Sequence, residues 1–155
     1  MTIIAFTING AQVTKEVDGR TLLVELIRED LRLTGTHVGC DTSQCGCCTI
    51  QLDGVMVKSC AMLAAQADGA EIVTIEGLAK DGKLHPMQQA FTECHGLQCG
   101  FCTPGMIMAS IGILKDHPNP SDADITKGLE GNLCRCTGYV NIVKSVHRAA
   151  ELMRG

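Results

Sequence analysis

The sequence has few aromatic residues and a negative balance of charge. Its 155 residues include no tryptophan, one tyrosine and three phenylalanines, and the formal net charge is −4. Proteins that bind single-stranded nucleic acid stack bases on aromatic side chains inside basic grooves. The composition therefore argues against nucleic acid as a partner.

The sequence also has no long apolar stretch. No hydrophobic run approaches the roughly 20 residues that a membrane helix needs, and residues 1–10 contain neither a basic amino-terminal region nor a small-residue cleavage site. We therefore expect no membrane insertion and a cytoplasmic location. Hydrophobic residues make up 45% of the chain, which is enough for a buried core.

The first half of the chain has mixed strand and helix patterning. The alternating runs 3–8 and 12–17 flank Asn9-Gly10, a dipeptide that favours a tight hairpin turn. A second hairpin is predicted over 48–58, and a final strand over 71–75. Between the hairpins, Thr21 is expected to cap a short amphipathic helix. Its apolar face comprises Leu22, Leu23, Leu26 and Ile27.

The second half lacks strand patterning. A polar, glycine-containing stretch over 77–84 predicts a linker, and we divide the chain into domains at 1–77 and 78–155. Four helices are predicted beyond the linker, the last over about 138–153. Start signals precede the other three: Pro86, Thr103-Pro104 as cap and first turn, and Ser121 with Asp124 as a capping box. The pattern indicates an α+β chain that ends in a small helical bundle.

Ten cysteines are the most informative feature of the sequence. Without an export signal, metal ligation is a better interpretation of them than a disulfide framework. In the first half they follow the spacing C-x4-C-x2-C…C, which is typical of plant-type [2Fe–2S] ferredoxins. The residues in this pattern are Cys40, Cys45, Cys48 and Cys60. Gly39 and Gly46 are expected to let the backbone approach the sulfur atoms.

Four more cysteines form two close pairs in the second half. Cys99 and Cys102 precede one predicted helix, and Cys134 and Cys136 precede another. A cluster held by four thiolates is negatively charged, and free amide groups at two helix starts would stabilise it. Taken alone, these pairs also permit a zinc site, or, less well, a thioredoxin-like redox pair at 99–102.

The remaining candidates have weaker signals. Cys47 lies between two predicted ligands and is expected to point away from the cluster as a small buried side chain. Cys94-His95 lacks the second pair that a Rieske site needs. We interpret all five histidines as structural or solvated: His37, His85, His95, His117 and His147.

Three motifs resemble the iron–sulfur subunits of the xanthine-oxidase family of molybdenum hydroxylases. They are Gly39-Cys-Asp-Thr-Ser-Gln-Cys-Gly, Gly96-Leu-Gln-Cys-Gly-Phe-Cys-Thr-Pro-Gly-Met and Gly131-Asn-Leu-Cys-Arg-Cys-Thr-Gly-Tyr. The resemblance covers nearly the whole chain and is strongest to small subunits of separate-subunit enzymes such as aerobic carbon monoxide dehydrogenase. It implies a β-grasp ferredoxin domain followed by a four-helix-bundle [2Fe–2S] domain, and it favours iron over zinc at both sites.

The resemblance also implies a function. Electrons would pass from a molybdenum–pyranopterin centre in a large subunit, through two [2Fe–2S] clusters in this chain, to FAD in a medium subunit, within an (αβγ)2 assembly. Gln98 matches the position that contacts the pyranopterin, and Cys136 is expected to approach it; no residue of this chain would be catalytic. The family usually has alanine at the position of Cys47. The cysteine pattern alone permits a stand-alone two-cluster ferredoxin, and a zinc-binding module is a third hypothesis.

Overall fold

A computed structural model describes all residues from 1 to 155. The first half forms one mixed five-stranded sheet with strand order β2-β1-β5-β3-β4, in which β1 and β5 are parallel and the other pairs are antiparallel. The strands are β1 (Thr2–Ile8), β2 (Ala11–Val17), β3 (Thr49–Leu52), β4 (Val55–Lys58) and β5 (Glu71–Val73). The second half is helical, so the predicted α+β class is confirmed.

The first hairpin is confirmed where it was predicted. Asn9 and Gly10 have positive φ angles of 51° and 84°, as the tight turn requires. Alternate residues of β1 face the core, so Ile4, Phe6 and Ile8 are buried while their neighbours are not. The second hairpin pairs β3 with β4. The strand predicted over 71–75 is shorter, because the chain turns into a helical turn at Ile75–Gly77.

The helix against this sheet begins later than predicted. It comprises α1 (Leu23–Glu25), continued by one π turn, Leu26–Asp30. Thr21 is not its cap, because Thr21 and Leu22 are held in an extended bridge to residues 62–64: the Thr21 carbonyl accepts a hydrogen bond from Ala64. Leu22 is the capping residue, and its N–H donates to Glu25 Oε2 at 2.9 Å. Of the predicted apolar face, Leu23, Leu26 and Ile27 are buried as expected, whereas Leu22 is only partly buried.

Four helices make up the second half and enclose a core of their own. They are α2 (Pro86–Glu93), α3 (Thr103–Asp116), α4 (Asp122–Gly128) and α5 (Val140–Arg154). Fully buried members of the core include Met87, Phe91, Met106, Ile125 and Ile142. This core is separate from the one beneath the sheet. No helix in the chain is long and apolar enough to span a membrane.

The helix start signals are only partly correct. Pro86 begins α2, and Ser121 with Asp124 forms the predicted capping box at α4. Thr103 is wrong as a cap: Cys102 is the capping residue of α3, and the buried hydroxyl of Thr103 has no hydrogen-bond partner. The last helix begins at Val140, because Tyr139 precedes it with a left-handed φ of 68°.

His85 caps α2, and this cap is expected to make stability depend on pH. Its Nδ1 accepts the N–H of Met87 at 3.1 Å, which only the neutral ring can do. Burial lowers the pKa of His85 from its ordinary value of 6.5. Because the folded pKa is the lower one, the cap contributes fully above about pH 6.5 and is lost as pH falls through the folded pKa.

The variant His85→Asn keeps an acceptor that does not titrate. We expect the wild-type melting temperature to fall below that of the variant in acid, by about 2–4 °C for a cap worth about 1 kcal/mol. Thermal unfolding of both proteins between pH 7.5 and 5 measures this difference. If the melting temperatures of the two proteins changed with pH in the same way, the His85 ring would not be the cap of the helix.

Candidate metal centres

The first group of cysteines lies on the loop between α1 and β3 and on the turn after β4. All ten cysteines of the chain are free. The N–H of Cys45 donates to Cys40 Sγ at 3.4 Å, and the thiols of Cys48 and Cys60 lie next to one another. The Cys60 thiol donates to the Ser43 hydroxyl at 3.7 Å. Cys60 lies in the helical turn Ser59–Ala61, directly after β4. The structure thus brings Cys40 together with Cys45, and Cys48 together with Cys60.

The backbone around this loop prepares one thiol to be a thiolate. Hydrogen bonds from the backbone of Cys45, Thr42 and Gln44 lower the pKa of Cys40 from 9.0 to about 6. Burial has the opposite effect on Cys48 and raises its pKa to about 11. A metal that binds Cys48 must therefore displace its proton.

The second group lies at the starts of two helices. The Sγ atoms of Cys99 and Cys136 are 3.5 Å apart, and the thiols of Cys102 and Cys134 lie next to one another. Cys102 is the capping residue of α3, and Cys136 lies four residues before α5 begins. The prediction that each pair directly precedes a helix is therefore correct for Cys102, whereas residues 137–139 separate Cys136 from α5.

Hydrogen-bond donors surround the sulfur atoms of this group. The N–H of Phe101 donates to Cys99 Sγ at 3.5 Å. Thr137 donates twice to Cys134 Sγ, from its hydroxyl at 3.1 Å and from its N–H at 3.5 Å. Burial raises the pKa of Cys134, but the donors from Thr137 outweigh it, and the pKa is lowered overall. At Cys102, burial and, to a lesser extent, the neighbouring Cys134 thiol raise the pKa to about 12.

Tyr139 fixes the backbone around Cys134 through two hydrogen bonds of its hydroxyl. Its hydroxyl accepts the N–H of Cys134 at 2.9 Å and donates to the carbonyl of Asn132 at 3.1 Å. The only tyrosine of the chain thus fixes the backbone on both sides of Leu133. Tyr139 ends the third motif, and its place there was the only sign of this role in the sequence.

The thiols of the predicted ligands lie in pairs, and Cys47 also contacts Cys45. No three cysteine, histidine or acidic side chains converge closely enough to hold a metal ion by themselves. The pairs are Cys40 with Cys45, Cys48 with Cys60, Cys99 with Cys136, and Cys102 with Cys134. A [2Fe–2S] cluster takes four thiolates in all, and N–H groups directed at the sulfurs stabilise it. The donor set of each group therefore fits such a cluster.

The two surplus cysteines lie in different surroundings. Cys47 is 5% exposed, which agrees with the predicted small buried side chain. A Cβ on Gly39 would lie 3.1 Å from Cys47 Sγ and 3.3 Å from Cys45 Sγ, so a larger residue than glycine would press on both thiols. Burial raises the pKa of Cys47 to about 12, and its thiol stays protonated. Cys94 follows α2 and lies in neither group.

The two cysteine-bearing loops contact each other closely where residues 45–46 meet residues 132–133, and we call this contact the seam. The sequence patterns did not predict it. The N–H of Leu133 donates to the carbonyl of Cys45 at 2.8 Å. The buried side chain of Asn132 donates to the carbonyl of Gly46 at 3.0 Å. The same carbonyl lies where a Cβ on Gly105 would be, so only glycine fits at that position of α3. Backbone groups at the predicted ligands of one half therefore contact backbone groups next to the predicted ligands of the other.

A second contact between the two halves of the chain lies on the other side of the loop 99–102. The ring of His37 stacks on that of Phe101 with centroids 4.8 Å apart. Nδ1 of His37 lies 2.7 Å from the Phe101 carbonyl oxygen. The interpretation of His37 as structural agrees with these contacts.

One edge of the second group is open to solvent. Cys99 and Cys136 are exposed, whereas Cys102 and Cys134 are partly buried. Gln98 is exposed beside Cys99, and its side chain makes no hydrogen bond within the chain. Large apolar side chains are also exposed on the residues flanking these pairs: Leu97, Phe101, Leu133 and Val140.

Two family models match the chain. One is described as "2Fe-2S iron-sulfur cluster binding domain" and matches residues 6–78. The other is described as "[2Fe-2S] binding domain" and matches residues 74–147. Between them they cover both groups of cysteines.

Known proteins resemble the chain over nearly its full length. It is 53% identical to caffeine dehydrogenase subunit gamma of Pseudomonas sp. (strain CBB1), over 98% of this chain and 95% of that one. It is 48% identical to the nicotine 6-hydroxylase small subunit of Paenarthrobacter nicotinovorans, over 90% and 84%. Among solved structures, quinoline 2-oxidoreductase from Pseudomonas putida 86 superposes with a TM-score of 0.95 at 43% identity, over 99% and 96% of the two chains.

Proposed function

Since the chain belongs to the iron–sulfur small subunits of the xanthine-oxidase family of molybdenum hydroxylases, we propose that it is the electron-transfer subunit of such a complex. Two [2Fe–2S] clusters, when bound, each accept and release one electron, and so relay electrons from a molybdenum–pyranopterin centre to FAD on partner subunits. This chain's own residues hold the clusters and fix their separation. None of them makes or breaks a substrate bond.

The proposal assigns each cluster four thiolates. Cys40, Cys45, Cys48 and Cys60 hold the first, in a β-grasp ferredoxin domain over 1–77. Cys99, Cys102, Cys134 and Cys136 hold the second, in a four-helix bundle over 78–155. The paired arrangement of the thiols and the N–H groups directed at Cys40, Cys99 and Cys134 support this assignment.

The seam between the loops is the observation that best supports electron transfer between the two clusters. Cys45 and Cys134 belong to different clusters, yet a single hydrogen bond from Leu133 to the Cys45 carbonyl joins their backbones. A direct contact of this kind is what two redox centres in one relay require. Two unconnected metal-binding domains would have no need of it.

The exposed edge of the second cluster supports the direction of the relay. Cys99, Cys136 and Gln98 are exposed there amid apolar side chains, which suits a surface that a large subunit covers. We propose that Gln98 and Cys136 approach the pyranopterin across this surface. The proposed assembly is a cytoplasmic (αβγ)2 complex, in which the partner subunits select the substrate.

Metal analysis and electron paramagnetic resonance (EPR) of the purified native complex test this function. After dithionite reduction we expect two distinct S = 1/2 signals from this chain, with molybdenum and FAD copurifying in stoichiometric amounts. Two signals without molybdenum or FAD would favour the alternative of a stand-alone ferredoxin. Stoichiometric zinc without any iron signal would overturn both hypotheses.

A further inference from the structure

Lys58 places its ammonium group on the loop that carries the first group of cysteines. Its Nζ donates to the carbonyl oxygens of Ser43 at 2.8 Å and Gln44 at 3.2 Å. Both carbonyls lie between Cys40 and Cys45 in the chain. A Cβ on Gly131 would lie 3.4 Å from the same nitrogen, so Lys58 is also close to the loop that leads to the second group.

No carboxylate neutralises this charge. The salt bridges of the chain all involve other residues, and the partners of Lys58 are neutral carbonyl groups. The side chain is partly buried. A fixed charge that is partly removed from water acts more strongly on its surroundings than a fully solvated one.

We propose that Lys58 is a positioning residue that raises the reduction potential of the first cluster through its charge. Reduction adds one electron to a group that four thiolates already make negative, so a nearby cation stabilises the reduced form more than the oxidised form. The two hydrogen bonds fix this cation on the ligand loop. The inference rests on the proposed function, because it requires a cluster at Cys40, Cys45, Cys48 and Cys60.

Lys115 provides a matched control. Its Nζ also donates to a backbone carbonyl, that of Gly54, at 2.8 Å. Gly54 lies in the β3–β4 turn, at the opposite end of β4 from Lys58. Lys115→Met therefore removes one positive charge and one carbonyl contact from the same hairpin, away from the cysteines.

The test is an EPR-monitored redox titration of the complex in wild type, Lys58→Met, Lys58→Arg and Lys115→Met. The signal of the first cluster is the one lost from Cys48→Ala. In Lys58→Met we expect the ratio of reduced to oxidised first cluster at the wild-type midpoint to fall about tenfold, which is about 59 mV for a one-electron couple. Lys58→Arg keeps the charge and should stay near wild type. The midpoint potential of the first cluster should not shift in Lys115→Met. The midpoint potential of the second cluster should not shift in any of the variants.

An unchanged midpoint in Lys58→Met, with both clusters retained, would overturn the inference and leave the proposed function standing. An equal shift in Lys58→Arg would also overturn it, because loop geometry and not charge would then be responsible. If Lys58→Met loses iron, Lys58→Gln keeps a hydrogen-bond donor without the charge, and the same criteria apply to it. Wild-type protein without two clusters would refute the proposed function itself.

Discussion

Cys48→Ala is expected to lose half of the bound iron, whereas Cys47→Ala keeps all of it. The two cysteines are neighbours and are both buried, so composition and burial do not distinguish them. The spacing does. Cys48 completes the C-x4-C-x2-C pattern and meets the thiol of Cys60, whereas Cys47 falls outside that spacing, although its thiol contacts Cys45. Without Cys48 one iron of the first cluster lacks a ligand, and the second cluster is unaffected.

Iron and sulfide per chain, together with the two EPR signals, measure this difference. Truncation of Cys47 removes a single sulfur atom and should cost about 1 kcal/mol of stability as a small cavity. Cys94→Ala is the control, because Cys94 lies outside both groups and its replacement should leave iron unchanged. Loss of iron from Cys47→Ala would show that the surplus thiol is a ligand and that the assignment of the first cluster is wrong.

Features with local causes could be predicted from the sequence. The first hairpin follows from alternation and Asn9-Gly10, and the capping box at α4 follows from Ser121 and Asp124, which are three residues apart. The two cysteine groups could be proposed from the sequence for a related reason, since loop spacing constrains which thiols can share a cluster. In each case the interacting residues are close in sequence or belong to one loop.

Features with long-range causes could not be predicted in this way. Thr21 has a side chain suited to capping a helix, but its carbonyl accepts a hydrogen bond from Ala64, more than forty residues away. This bond holds Thr21 in an extended conformation outside the helix. Thr103 loses the capping position to Cys102, whose place is set by the cysteine loop. The seam joins Gly46 to Asn132, which are 86 residues apart, and no periodicity or composition marks either residue as a contact.

Gly46→Ala is expected to open this seam. A Cβ at Gly46 would overlap the carbonyl oxygen of Gly131 and lie 2.5 Å from the side-chain nitrogen of Asn132. The φ angle of 74° adds the strain of a left-handed alanine, about 1 kcal/mol. Displacing Asn132 also leaves buried polar groups unpaired, at about 1–3 kcal/mol. We expect a loss of about 3 kcal/mol in all and a melting temperature lower by about 6–12 °C.

Gly69→Ala separates strain from overlap. Gly69 has nearly the same φ, 76°, and a Cβ there would meet no atom within 4 Å. It should show only the left-handed cost, and the difference between the two variants measures the overlap at the seam. Equal melting temperatures would mean that the loops adjust without penalty and that the close contact is not required for stability.

The same variants test whether the seam fixes the separation of the clusters. When both clusters are reduced, the magnetic coupling between their spins decreases steeply with distance, so EPR of the fully reduced protein detects a change in spacing. We expect weaker coupling in Gly46→Ala and in Gly105→Ala, whose Cβ would strike the Gly46 carbonyl from the other side. Because both changes break one contact, the double variant should add little to either single one. Coupling as strong as in wild type would mean that other contacts, such as His37 with Phe101, hold the two halves at their distance.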